Sequence, residues 1–165
     1  MNILVLEETG MDNFPPAARL HLQAKRLMDA YETAMQPLSR AFSIPQTAAE
    51  ILLFLANNPG YDTARDICFY RHMKPGIVSF HIDRLVGEGY LARKSDEKDR
   101  RVTHLAVTEA AEPVVARGRA LQAALGKRLM EGLGDEDRAL FCRCIATISE
   151  NAKRICTEEK QKENS

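Results

Sequence analysis

The densest run of side chains able to do chemistry is Lys94-Ser95-Asp96-Glu97-Lys98-Asp99-Arg100-Arg101, eight polar residues with no apolar member. Two adjacent guanidinium groups at a loop tip suit contact with a polyanion; in isolation the same run reads as a solvated charged turn. What surrounds it decides between the two. Between Arg71 and Arg101 there are eight Lys or Arg against five acids, whereas the rest of the chain holds 15 bases and 18 acids. The first fourteen residues alone carry three acids and no base. The balanced total of 23 against 23 therefore conceals a mildly basic segment in a mildly acidic remainder. Zero net charge excludes a polybasic binder but leaves room for a local basic patch.

Other chemistries find little support. The chain has no Gly-rich phosphate loop, no G-x-S-x-G, no H-E-x-x-H and no paired metal-ligand cluster, so no catalytic residue, metal or cofactor is expected and the protein is not read as an enzyme. His21, His72, His81 and His104 are scattered, and each reads as a surface or satisfied histidine. Cys142 and Cys144 are two apart, about 200° around a helix and not the C-x-x-C of a redox or metal site. With Cys68 and Cys156 they are expected to be small core residues, a thiol sensor being the lesser alternative. Met1 to Leu6 is followed by Glu7 and Glu8 without a basic leader, which points to a cytoplasmic protein with no membrane partner. The longest strongly apolar run, Ile51 to Ala56, is far below the roughly 20 residues of a spanning helix. At 165 residues, 45% apolar and 28% charged, the chain fits one domain with a real core.

The elements that would position the charged run can be read from periodicity. From Pro16 to Phe42, Leu20, Leu27, Met28, Tyr31, Met35, Leu38 and Phe42 mark an amphipathic helix with a kink at Pro37. Ser43-Ile44-Pro45-Gln46 reads as a capping box that opens a helix over Thr47 to Asn57. Thr63 to Asp66 starts a short third helix. Pro75 begins a fourth, with Val78, Ile82, Leu85 and Val86 as its core stripe, ended by Gly87-Glu88-Gly89. Two short helices closely joined are a helix-turn-helix candidate. The β-capable runs Tyr90–Arg93 and Val102–Val107 then flank the charged tip, which is the layout of a winged helix. Thr108 is expected to cap a fifth helix running to Glu131, with Val114, Leu121, Leu125 and Leu129 on one side. Asp135-Glu136-Asp137 open a last helix striped by Phe141, Ile145, Ile148, Ala152 and Ile155.

The stretch from Val78 to Arg93, with D-R-L-x-x-x-G-Y-L at its centre, resembles the multiple antibiotic resistance regulator (MarR) family. So do Asp99-Arg100-Arg101 and the run Leu105 to Glu109. The resemblance implies a mainly α fold with a small β-hairpin wing, a winged helix-turn-helix with N- and C-terminal dimerisation helices. Over a single chain of 1–165, it implies dimerisation helices at 16–42 and 109–157, a DNA-binding region at 43–108 and a polar tail at 158–165. It implies a homodimeric, sequence-specific regulator of transcription, a repressor on a palindromic operator of double-stranded DNA. The family's D-x-R wing motif falls on Asp99 and Arg101, so Arg101, with Arg100, is expected in the minor groove while Asp99 braces the wing by an ion pair; Lys98 of the same tip is also expected on DNA.

The fourth helix departs from the family pattern. With its stripe turned inward, Gly76, Phe80, Asp83 and Arg84 face outward with Ile77 and Ser79 on the flanks, where the family more often shows hydroxyls and a base. Phe80 is placed for a thymine methyl and Ser79 for a base or phosphate. Lys74 and Arg84 are expected on phosphates, with Arg65, Arg71 and His72 weaker candidates.

The resemblance further implies a small aromatic or phenolic ligand between the first, second and fifth helices, with His21, Lys25, Met28 and Phe54 as lining residues. Two alternatives stay open: a winged-helix module that binds protein in place of DNA, and a thiol-based redox-sensing regulator.

Overall fold

A computed structural model describes residues 17–96 and 99–163, apart from the side chains of residues 17, 18, 156 and 159–163. In chain order the elements are α1 (Ala17–Phe42), α2 (Gln46–Asn57), α3 (Ala64–Arg71), α4 (Pro75–Gly87), β1 (Leu91–Ser95) and β2 (Thr103–Val107). A 3-10 turn over Glu109–Ala111 leads into α5 (Glu112–Leu129) and α6 (Asp135–Glu163). This is the mainly helical fold with a β-hairpin wing that the sequence implies. The chain divides into two compact units, one up to Leu125 and one from Gly126.

The core of the first unit gathers Met35 and Leu38 of α1, Ile51, Leu52 and Leu53 of α2, Ile67 of α3, Val78, Ile82 and Leu85 of α4 and Val114 of α5. Three- and four-residue spacing puts one apolar face of each helix onto that centre. At Gly118 of α5 the approach is closest: a Cβ there would lie 2.5 Å from Leu53 Cδ2. A polar chain ties the same helices together. Arg119 donates to the Ala56 carbonyl at 2.6 Å and to Asn57 Oδ1 at 2.9 Å. Asn57 donates to Gln122 Oε1 at 3.0 Å, and Gln122 donates to the Tyr31 hydroxyl at 3.0 Å.

Several local expectations are corrected. There is no capping box at Ser43: α2 begins at Gln46 with Pro45 as its cap residue and no side-chain cap. Ser43 instead takes a left-handed φ of 53° at the end of α1, and the Gln46 amide donates to the Glu32 carbonyl at 3.2 Å. The capping box lies at α3, where Thr63 Oγ1 accepts from the Asp66 amide at 3.2 Å and Asp66 Oδ2 accepts from the Thr63 amide at 3.0 Å. Thr108 does not cap through its side chain; its hydroxyl donates to the Gly89 carbonyl at 2.6 Å and closes the base of the hairpin. Gly89 itself sits at φ 81°, a left-handed turn that favours glycine.

In the second unit, α6 stays helical through Glu163, so most of the expected polar tail at 158–165 is helix. Its stripe is exposed, with Phe141, Ile145, Ile148 and Ile155 between 42% and 57% accessible. Cys142 and Cys144 are exposed on the same helix and Cys68 is half-buried, so the first two are not core residues. The Cys156 side chain lies outside the described residues.

Candidate nucleic-acid interface

Helix α4 is positioned by its own inward stripe. Val78, His81, Ile82 and Leu85 are buried, while Gly76, Ile77, Ser79, Phe80 and Asp83 are exposed. Phe80 is 62% accessible and Ile77 49%. Lys74, exposed, is the cap residue at the N-terminus of α4, with Pro75 behind it. Charge on the helix is tied up within the chain. Arg84 donates to Glu88 Oε1 at 2.7 Å, and Arg93 of β1 pairs with Asp83.

Arg71, a weaker phosphate candidate, is turned inward to Glu50 Oε2 at 2.8 Å and is not available for such a contact. His81 is buried, and its Nδ1 meets no hydrogen-bonding group among the described residues; it is neither a surface nor a satisfied histidine. Burial first, and Arg84 second, push its pKa below the usual histidine value.

The wing is an antiparallel pair in which Leu91 faces Val107 and Ser95 faces Thr103. Leu91 and Leu105 are buried and anchor its base. Arg100 and Arg101 stand exposed at the tip, Arg101 with 91% of its side chain accessible. Asp99 accepts from the Arg101 amide at 3.0 Å and from its guanidinium at 3.1 and 3.2 Å. The Arg101 guanidinium, then the Arg101 amide, hold the Asp99 carboxyl below its ordinary range. The Asp99 amide in turn donates to Asp96 Oδ1 at 2.7 Å. Lys98 lies outside the described residues.

One anchor of the wing carries no mark in the sequence. His104 of β2 places Nδ1 2.7 Å from Asp62 Oδ1 and Nε2 3.1 Å from Asp96 Oδ2. Those two carboxylates, Asp62 first, raise its pKa above the usual histidine value. Asp62 also accepts the Leu105 amide through its carbonyl at 2.7 Å, so the segment before α3 meets β2 in a single antiparallel bridge, Thr63 opposite His104. Asp62 and His104 are 42 residues apart, a separation at which no local pattern links them. Between α3 and the wing lies a hollow of about 490 Å³, bordered by Thr63, Arg65, Asp66, Arg101 and Val102.

The expected ligand-lining residues are not drawn into one cluster. His21, Lys25 and Met28 are exposed on α1. Lys25 donates to Asp29 Oδ1 at 2.7 Å, and that contact raises its pKa. Phe54 is half-buried against the core, its ring 6.2 Å from that of Tyr70 on α3. Tyr70 also meets Tyr61 and Phe69 edge-on, making an exposed aromatic group that periodicity did not single out. Among the described residues, no three His, Cys, Asp or Glu gather to hold a metal ion.

The sequence profile of the MarR family matches residues 42–102, the stretch that contains α2, α3, α4 and β1. No protein of curated function matches the chain by sequence. Solved structures do match it. A MarR transcriptional regulator from Methanosarcina mazei Go1 is 21% identical with a TM-score of 0.72, covering 84% of this chain and 99% of that one. An organohalide-sensing transcriptional regulator in its 2,4-dichlorophenol-bound form is 13% identical with a TM-score of 0.60, covering 92% and 89%. BpsR of Bordetella bronchiseptica, whose DNA binding is regulated by 6-hydroxynicotinic acid, is 16% identical with a TM-score of 0.61, covering 86% and 97%. At such identities the likeness to these structures is one of fold. Residues 42–102 thus match the MarR family profile, and the fold of the chain is that of the MarR transcriptional regulators.

Proposed function

We propose that the protein is a transcriptional repressor that binds a palindromic operator in double-stranded DNA as a homodimer. The observation that carries this reading is the wing tip: Arg101 is 91% accessible yet held in place by Asp99. A slim hairpin presenting a fixed guanidinium suits a narrow, electronegative minor groove, where it reads width. Exposed α4 would enter the adjacent major groove, with Gly76, Ser79 and Phe80 towards the bases. Lys74, with Lys98 and Arg100, would serve the backbone, and Arg84, which is part-exposed, would join them on exchanging Glu88 for a phosphate.

One half-site contact of this size is weak, and a dyad-related pair reaches both halves of a palindrome. The exposed stripe of α6 supports a second copy as partner, because Phe141, Ile145, Ile148 and Ile155 form a continuous apolar row of the kind that obligate interfaces cover. On this reading residues 16–42 and 109–157 are the dimerisation helices and 43–108 the DNA-binding region.

We further propose release from DNA by a small aromatic or phenolic acid bound among α1, α2 and α5 and bordered by His21, Lys25, Met28 and Phe54. The ligand-responsive relatives of the same fold support that class of effector. No helix of the described residues is long and apolar enough to cross a membrane.

The test is a salt titration of duplex binding by fluorescence anisotropy. Several phosphate contacts per dimer predict a log–log slope of about −0.9 for each contact. A flat response at every salt concentration would sink the DNA reading. It would favour the other use of the exposed Ile77 and Phe80, docking on a protein.

A further inference from the structure

The outward face of α4 offers few ways to read a base pair. Guanine is read best by Arg or Lys, adenine by Asn or Gln, and cytosine by a carboxylate. From Pro75 to Gly87 there is no Lys, Asn or Gln. The single arginine of the helix, Arg84, is engaged by Glu88 at 2.7 Å, and its single carboxylate, Asp83, is engaged by Arg93. Ser79 is exposed but accepts or donates to any base and discriminates little. What remains is apolar: Ile77 and Phe80, 49% and 62% accessible, three residues apart on one face. Gly76 beside them has nothing within 4 Å of where a Cβ would stand, so the backbone there can come close to a partner surface.

The only base substituent in the major groove that rewards apolar contact is the 5-methyl group of thymine. Resting on the DNA reading above, we propose that Ile77 and Phe80 are the specificity residues of α4 and recognise thymine 5-methyl groups. The operator half-site is then distinguished by thymines beneath this helix and not by a guanine contact. A nucleic-acid occupant of this apolar face is favoured by its setting. Both acids beside it, Asp83 and Glu88, are neutralised by arginines of the same chain. Lys74 at the N-terminal end of the helix, and Lys94 and Arg100 on the wing, stand exposed, and among the described residues no carboxylate pairs with them.

The experiment enriches bound duplexes from a randomised library with the full chain, then replaces each thymine of the selected duplex by deoxyuridine, which removes only the methyl group. The expected result is a loss of about fivefold at one or two thymines per half-site, with no effect at the others. Phe80→Ala, which alters a side chain 62% accessible whose ring meets that of His81 edge-on at 5.2 Å, should bind the thymine duplex as weakly as the wild type binds the uracil one and should be indifferent to the replacement. Uracil substitution that is neutral at every position overturns the proposal while leaving the DNA reading intact. So does enrichment of guanines whose contribution vanishes in Arg84→Ala. A library that yields no enriched duplex overturns both.

Discussion

Asp99 grips Arg101 twice over, once by its backbone amide and once by its guanidinium, in a contact only two residues long. The depressed Asp99 pKa fixes when that grip exists: for a carboxylate held below its unfolded value, the interaction is present above that value and lost as pH falls through the folded one. At neutral pH the brace is complete. Arg101→Ala should weaken duplex binding about tenfold and lower the salt slope by about one. Asp99→Asn keeps the cation but frees it, and should cost about threefold, the lost orientation outweighing the removal of a carboxylate beside the phosphates. Binding by Asp99→Asn as tight as that of the parent, measured by anisotropy at one salt concentration, would show that the charge of Arg101 and not its placement by Asp99 carries the contact.

The His104 bridge gives a pH dependence of the opposite sense. A histidine whose folded pKa is raised stabilises the folded state fully below its unfolded value of about 6.5 and loses that contribution as pH rises through the folded value. Cooperative unfolding followed by far-UV circular dichroism should therefore show lower stability at about pH 8.5 than at about pH 6. His104→Gln should flatten that difference. An unchanged profile would mean that Asp62 and Asp96 do not hold the proton on the ring.

Helix α5 offers a matched pair of glycines. Gly118→Ala drives a methyl group to within 2.5 Å of Leu53, itself only 2% accessible and unable to swing aside. Overpacking of that kind costs about 1–3 kcal/mol, more than the gain of up to about 1 kcal/mol from better helix propensity. Gly126 has open space at its Cβ, so Gly126→Ala should stabilise by somewhat less than about 1 kcal/mol. Urea midpoints that shift in the same direction for both would refute the packing argument.

If α6 meets a second copy through its apolar row, Ile145→Asp combined with Ile148→Asp should convert the dimer to a monomer in sedimentation velocity. Both side chains are more than 40% accessible, so the substitution removes no intrachain core. Helix content should stay close to that of the parent at concentrations where the parent is dimeric. A variant that remains a dimer would place the interface elsewhere.

Much of this fold is legible in the chain because helix periodicity and punctuation agree. Pro75 opens α4, Gly89 takes the left-handed turn after it, and Val78, Ile82 and Leu85 face inward as their spacing implies. The failures have physical causes. Ser43 looks like a cap, but the turn after α1 places its backbone in a left-handed conformation that a cap residue does not adopt. Side-chain type suggests a surface place for His81, whereas its position three residues after Val78 puts it on the buried stripe. Small size suggests a core place for Cys142 and Cys144, whereas both are exposed on α6, a place that cysteine type alone does not encode. Helix spacing places Gly76, Ile77, Ser79, Phe80 and Asp83 on the exposed face of α4, where they lie, but it does not reveal the ion pairs that occupy Arg84 and Asp83. They depend on Glu88 and on a strand partner, Arg93. The ligand-lining set had the weakest basis, since the same apolar residues also suit plain packing.

The wing is fastened to the rest of the chain by Arg93 to α4 and by His104 to the segment before α3, and its tip is braced internally by Asp99 on Arg101. A free hairpin would have to surrender its mobility on reaching DNA, at about 0.5–1.5 kcal/mol for every long side chain immobilised. Here most of that ordering has already happened during folding. On the proposed DNA reading, the distance between helix and wing tip is thereby set before any duplex arrives, and the protein would act as a caliper. It would select DNA whose neighbouring grooves already lie at the right span, and penalise sequences too stiff or too wide to be adjusted to it.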